Sequence, residues 1–201
     1  LIGDITGRLT GIEVVGAFAR YLQQHPLIIE GWIKFKLLEF LQMRNPNIPS
    51  LISKIEFLTT RPSLSAERKL WDAFLAGRKC NDIYCALEVD PERYELDHYI
   101  PWSFVQHHQL WNLIPATREM NNAKRDRLPD WDKTFASFAK TQYEFHQWCS
   151  AGNHDTRFIE DYLTVFPQDC PANESAFTEQ LERHLHPLYQ IAENSGFGKF
   201  A

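Results

Sequence analysis

Helical periodicity runs through this sequence on both sides of one short stretch where it stops. On the N-terminal side, Val14, Val15, Phe18, Tyr21 and Leu22 recur at helical spacing, and Thr10 with Glu13 has the T-x-x-E capping-box spacing ahead of them. The run LIIEGWIKFKLLEFLQM (27–43) is apolar on most sides and predicts a largely buried helix. A short helix is expected from Ser50 to Leu58. Another is expected to be capped by Ser65, to carry Leu70, Trp71, Phe74 and Leu75, and to stop at Gly77. After Pro129 the pattern returns with Trp131, Phe135, Phe138, Phe145 and Trp148. Thr156 to Phe166 continues it with Phe158, Ile159, Tyr162 and Leu163. Phe177, Leu181, Leu185, Leu188 and Ile191 predict a last helix or pair, bent at Pro187. Between these blocks, from Cys80 to Phe104, short apolar stretches are broken by ND and VDPER, which reads as two short strands joined by a turn. The expected fold class is therefore α+β and mostly helical, with a small strand-containing centre inside a helical wrapper.

Bulk properties narrow the class further. The 201 residues suffice for one domain with a sizeable core, or a small domain with helical additions. Hydrophobic residues at 44% and charged residues at 23% are ordinary for a soluble globular protein. No apolar run reaches the roughly 18 residues of a membrane span, and there is no signal peptide at the start. The chain opens on Leu1 rather than Met, which leaves open that it is a fragment of a longer protein. A net charge of -5 confines any polyanion contact to a local patch. Four cysteines, Cys80, Cys85, Cys149 and Cys170, are few for the length and suit a reducing cytoplasm.

Chemistry concentrates after residue 95, in LDHYIPWSFVQHHQLWNLIPATREMNNAKRDRLP. Its skeleton is Asp97-His98, Pro101, Asn112-Leu113, Asn121, Lys124 and Leu128-Pro129. This resembles the HNH nuclease motif in the variant with Asn at the third position. The spacing also resembles the HNH domains of RNA-guided CRISPR nucleases. DHYIPWSF and WNLIP resemble bacterial HNH proteins with an N-terminal helical region. The resemblance implies a ββα-metal core, a two-stranded hairpin and a helix around one divalent cation. The residues allow this: IYCALEV as first strand, YELDHYI as second, QHHQLWN in the loop, and a helix through REMNNAKRDR capped by Thr117. Three segments are expected: a helical region at 1–79, the nuclease core at 80–129, and a helical region at 130–201 packed on that core.

The resemblance also implies roles. Phosphodiester hydrolysis needs a nucleophile, charge stabilisation on phosphorus and help for the leaving alkoxide. His98 is expected as general base, since a neutral imidazole can take a proton from water near pH 7. Asp97 and Asn121 supply the carboxylate and carbonyl oxygens that one Mg²⁺ or Mn²⁺ prefers. Asn112 is expected to bond loop backbone and hold His98 in orientation rather than bind metal. The carbonyl of Tyr99 is a natural partner for the imidazole. Lys124, Arg125 and Arg127, joined by Arg118, form the dense cationic cluster near the motif and are expected as nucleic-acid contacts, Lys124 in a scaffold or phosphate role. Asn122 should face away from the cation, being about 100° from Asn121 on a helix.

Other residue types read more plainly. Cys80 and Cys85 are spaced C-x-x-x-x-C, with no second pair near MNNAKR, so buried thiols are expected rather than structural zinc. His107 and His108 are either exposed loop residues or phosphate contacts. Related sequences often carry an acid there. Trp102 and Trp111 read as core rather than base-stacking platforms. The function expected is metal-dependent DNA cleavage in bacterial defence, as a restriction, anti-phage or CRISPR effector module. A non-cutting nucleic-acid-binding or assembly module is the alternative.

Overall fold

A computed structural model describes residues 2–3, 9–11, 14–55, 61–152, 157–166, 171 and 173–200. The chain divides into two compact units, Leu1–Leu58 and Thr59–Ala201. In the first, β1 (Ile2–Gly3) pairs antiparallel with β2 (Leu9–Gly11), followed by α1 (Gly16–Gln24), α2 (Pro26–Arg44) and α3 (Leu51–Ile55). Pro26 opens α2 at its first position, where a missing N–H is an orphan in any case. Thr10 lies in β2 and α1 is capped at Val15, so Thr10 does not cap this helix; Glu13 lies outside the described residues. The expectation of a buried α2 is also corrected. None of its residues is buried, and Leu27, Ile28, Trp32 and Phe35 are exposed. A helix apolar on every side needs neighbours on every side. Helices of 9 and 5 residues offer too little surface to surround it.

The second unit is mostly helical around a two-stranded sheet. It begins with α4 (Ser65–Leu75), which therefore sits with the nuclease-motif segment rather than with the N-terminal region. Its N-cap is Leu64, and Ser63 Oγ rather than Ser65 accepts a backbone bond there, from the Ser65 N–H at 3.2 Å. Strand β3 (Glu95–His98) leads through α5 (Trp102–Val105) and a 3₁₀ turn (Leu110–Asn112) into β4 (Leu113–Ala116). Then follow α6 (Arg118–Lys124), β5 (Leu128–Pro129), α7 (Trp131–Ala151), α8 (Arg157–Leu163), α9 (Glu174–Asn194) and β6 (Lys199–Phe200), the last parallel to β5. Pro187 lies inside α9, which continues through it as one helix.

The hairpin differs from the expected one. β3 pairs antiparallel with β4, with Asp97 opposite Ile114 and His98 opposite Leu113. The 83–89 segment, expected as first strand, is a turn region with a single bridge between Asn81 and Glu88. The cause is Asp82, whose wholly buried carboxylate accepts the Tyr84 N–H at 2.7 Å and curls the chain. Its backbone closes the turn, donating to Leu87 O and accepting from Ala86 N–H. Pro115 sits inside β4, which a two-stranded sheet allows because both its strands are edges, where a missing N–H is tolerated.

The helices fix the loop between the paired strands. Trp71 of α4 stacks on Phe145 of α7 at 3.8 Å, and Tyr99 stacks on Phe138 at 4.0 Å. Gln142, buried on α7, donates to Leu110 O at 3.2 Å and Leu113 O at 2.6 Å, while Tyr162 of α8 donates to the Gln142 carbonyl oxygen. Asp161 accepts the Leu110 N–H at 2.9 Å. The Leu110 N–H and the Leu110 and Leu113 carbonyls at the end of the loop are thus satisfied by buried Gln142 and half-buried Asp161 of the wrapper.

Candidate active site

Strand β3 and helix α6 bring the motif residues to one cleft of about 270 Å³. Its lining includes Arg61, Asp97, His98, Trp102, Asn121 and Arg125. α6 starts at the right place because Thr117 caps it, accepting from Met120 N–H at 3.3 Å. Thr117 is itself held by Asp82, whose Oδ2 accepts from the Thr117 N–H at 2.7 Å and hydroxyl at 2.9 Å. One buried carboxylate therefore sets both the turn before β3 and the start of α6.

Asp97 and Lys124 form a buried ion pair. Lys124 Nζ lies 3.0 Å from Asp97 Oδ2 and 3.2 Å from Oδ1, and donates to the His98 carbonyl at 2.7 Å. The lysine side chain has 0% exposure, so the expectation of a nucleic-acid contact gives way to a scaffold position beneath the cleft. Tyr84 adds a third bond, its hydroxyl donating to Asp97 Oδ2 at 2.6 Å. Burial first, and the adjacent Asp97 charge second, hold the Tyr84 phenol protonated well above its ordinary range.

Asn112 is wholly buried. Its Oδ1 accepts the Ile100 N–H at 2.8 Å and its Nδ2 donates to Ile100 O at 2.9 Å. Its own carbonyl accepts the Tyr99 N–H at 2.8 Å. The side chain thus extends the β3–β4 ladder beyond its last pair and clips the loop's two ends. Its side-chain hydrogen bonds go to the Ile100 backbone and not to the His98 ring.

His98, 3% exposed, has two ring partners, and neither is the Tyr99 carbonyl. Arg61 Nη2 lies 2.8 Å from Nδ1, and His108 Nδ1 lies 2.9 Å from Nε2. Guanidinium can only donate, so Nδ1 bears the lone pair and Nε2 the proton. Burial, then the charges of Arg61, His108, Lys124 and His107, push the His98 pKa down to about 2, so the imidazole is neutral.

Asn121 is half-buried and donates through Nδ2 to Glu95 Oε2 at 2.5 Å. That bond fixes the amide's orientation and leaves Oδ1 as the end available to another partner. Asn122, expected to face away, is exposed and also lines the cleft mouth. Of the cationic cluster, Arg125 lines the cleft, Arg118 lies 3.7 Å from Glu95, and Arg127 donates to the Lys124 carbonyl at 3.3 Å and to Ala123 O. Trp111 is buried in the core. Trp102 is half-buried on the cleft wall, with the Arg61 guanidinium 5.4 Å from its ring centroid. Arg61, Asp82 and Tyr84 were not singled out in the sequence. Arg61 is 37 residues from His98, outside any local pattern, and Tyr84 lay in a stretch that read as strand.

A hard divalent cation fits this donor set. A carboxylate has about four acceptor directions; Lys124 and Tyr84 fill those of Oδ2 and one of Oδ1, so Asp97 Oδ1 keeps one for another partner, in the cleft that Asn121 also lines. Among the described residues no group of three or more His, Cys, Asp or Glu could hold a metal, so a cation here relies on two protein oxygens with water and phosphate completing its shell. Cys80, Cys85 and Cys149 are unbridged. Burial raises the thiols of Cys80 and Cys149 to about 11 and about 12, which keeps them protonated. Cys170 lies outside the described residues. No described helix is long and apolar enough to cross a membrane.

Residues 82–130 match the HNH endonuclease family. Neither a curated protein nor a solved structure matches the chain.

Proposed function

We propose that this chain, which carries an HNH endonuclease domain at residues 82–130, is a divalent-metal-dependent nuclease that hydrolyses DNA phosphodiester bonds with His98 as general base. The observation that carries the reading is that Asp97, His98 and Asn121 line one cleft within the matched HNH segment. His98 Nδ1 accepts from Arg61 at 2.8 Å, so its lone pair can take a proton from an attacking water once Arg61 gives up that bond, for instance to a bound phosphate. Lys124, Tyr84 and the backbone hold Asp97 in one orientation. Glu95 does the same for Asn121. When bound, Mg²⁺ or Mn²⁺ would neutralise phosphate charge and stabilise the departing alkoxide. Arg125, exposed on the cleft wall, and Arg118, exposed on α6, are suited to phosphates on either side of the scissile bond. Asn112 keeps the loop closed under His98. The setting in keeping with this chemistry is bacterial defence in the cytoplasm, alone or as the cutting module of a larger assembly.

The test is cleavage of a supercoiled plasmid. Wild type should nick it with Mg²⁺ or Mn²⁺, stop in excess chelator, and recover on adding the cation back. His98→Ala should fold, bind DNA with little change, and cut at least about 100-fold more slowly. A His98→Ala rate within threefold of wild type, or full activity in chelator, overturns the reading.

A further inference from the structure

Helix α2 leaves one whole face bare. Leu38 and Leu41, half-buried, lie on one side of it, and α1 and α3 pack against the helix. On the opposite side Ile28, Trp32, Ile33, Phe35, Phe40 and Met43 fall within about 160° of arc at 100° per residue. All six are exposed, Trp32 at 61% and Met43 at 75%. Side chains of this size so exposed leave roughly 100 Å² each uncovered, so the face amounts to roughly 600 Å², the size of the largest apolar patch on a typical monomer. Val15, Phe18 and Tyr21 of α1 are exposed as well, with the Phe18 and Tyr21 rings stacked at 6.2 Å. Together these surfaces reach the scale of about 800 Å² that each partner in a stable complex covers.

Charge says what kind of partner fits. Within that arc of α2 the charged residues are Lys36 and Glu39, joined at 2.7 Å. A face with one charge of each sign has no basic field to hold an anionic lipid surface or a phosphate backbone. It is, however, complementary to itself. Trp32, Lys36, Glu39 and Met43 follow one another at steps of four, three and four, the spacing of a helix–helix seam. In two antiparallel copies related by a two-fold axis between Leu37 and Leu38, Lys36 of each lies level with Glu39 of the other, and Trp32 with Met43. Opposite charges then meet twice, and a thioether meets an indole twice. A parallel pair would set Lys36 against Lys36 and Glu39 against Glu39.

We propose that α2 is the surface through which two copies of this chain pair, antiparallel, with Trp32, Lys36, Glu39 and Met43 along the seam and Ile28, Ile33, Phe35 and Phe40 flanking it. The second copy supplies the neighbours that α1 and α3 are too short to give α2. The pairing does not rest on the nuclease reading. Under that reading, a pair carries one candidate site for each strand of a duplex.

Sedimentation velocity of the full chain at micromolar concentration tests this without any cleavage. Wild type should run as a dimer. Trp32→Ala should raise the dissociation constant at least about 30-fold, as loss of an aromatic hot spot does. Lys36→Glu and Glu39→Lys each put like charges level with one another and should each weaken pairing by a similar factor. An equimolar mixture of those two variants matches the charges again and should return to dimer, which also shows that both are folded. Leu87→Glu, at an exposed side chain of the other unit, should leave the dimer unchanged. A monomeric or open-ended wild type overturns the proposal, and a monomer that binds vesicles of phosphatidylcholine and phosphatidylglycerol reassigns the face to lipid. A dimer that survives Trp32→Ala and both charge reversals, or a mixture that stays monomeric, overturns it as well.

Discussion

Lys124 Nζ lies 3.0 Å from Asp97 Oδ2 with the lysine side chain at 0% exposure and the aspartate at 6%. A lysine so placed is part of the wall that holds Asp97, and it also carries the His98 carbonyl. Removing one partner of a buried pair leaves the other charge uncompensated. Lys124→Met is therefore expected to destabilise the fold by about 3–5 kcal/mol, measured by urea unfolding. A surface phosphate contact would behave differently, with stability unchanged within 0.5 kcal/mol (roughly, as for a surface substitution) and only DNA affinity reduced.

Asn112→Ala removes both bonds to the Ile100 backbone in a fully buried place. Leaving those backbone groups unmatched should cost about 1–3 kcal/mol. Cleavage should slow because the loop carrying His108 loosens. The Mg²⁺ concentration for half-maximal cleavage should not move. A shifted metal requirement with unchanged stability would make Asn112 a ligand.

Asn121 and Asn122 are neighbours on α6 that both line the cleft, yet only Asn121 is held by Glu95 with Oδ1 left over. Asn121→Ala should raise the Mg²⁺ needed for half-maximal cleavage at least about tenfold, as loss of a metal-orienting group does. Asn122→Ala should change it less than twofold. A metal titration of both variants on one plasmid decides, and the reverse ranking would move the ligand to Asn122.

Acid should weaken the fold in a defined window. Burial pushes His146 and His107 down to about 4 from the ordinary 6.5, the charges of His108 and His184 adding to the effect at His107. Their folded pKa values are depressed, so the unfolded chain binds more protons between about pH 4 and 6.5. Stability is fully present above 6.5 and is lost as pH falls, by about 1.4 kcal/mol per unit for each extra proton. His98 acts in the same direction. Asp161, raised by burial to about 6, opposes it: the fold holds that proton between 3.8 and 6. The histidines outnumber it, so Tm should fall steadily from pH 6.5 to 4.5 by thermal circular dichroism. A flat or rising Tm over that range would contradict these environments.

The residues proposed to carry chemistry could be picked out from the sequence because their spacing is local. Asp97 and His98 are adjacent, Asn121 and Lys124 share one short helix, and Thr117 caps it by a rule that depends on three residues of chain. Helices with one apolar stripe, such as α4 and α7, were legible for the same reason: periodicity is a property of the segment itself. Tertiary structure decided the rest. Which segment pairs with β3 was decided by packing: β4 does, and Pro115 is harmless there because the strand is an edge. Whether α2 is buried depends on what surrounds it, which its own pattern does not state. The burial of Lys124, the Tyr84 bond to Asp97 and the Arg61–His98–His108–Pro62 chain join groups 10 to 46 residues apart. No local rule links such positions. Only the packed fold brings them within hydrogen-bond reach and removes the water that would otherwise take their place.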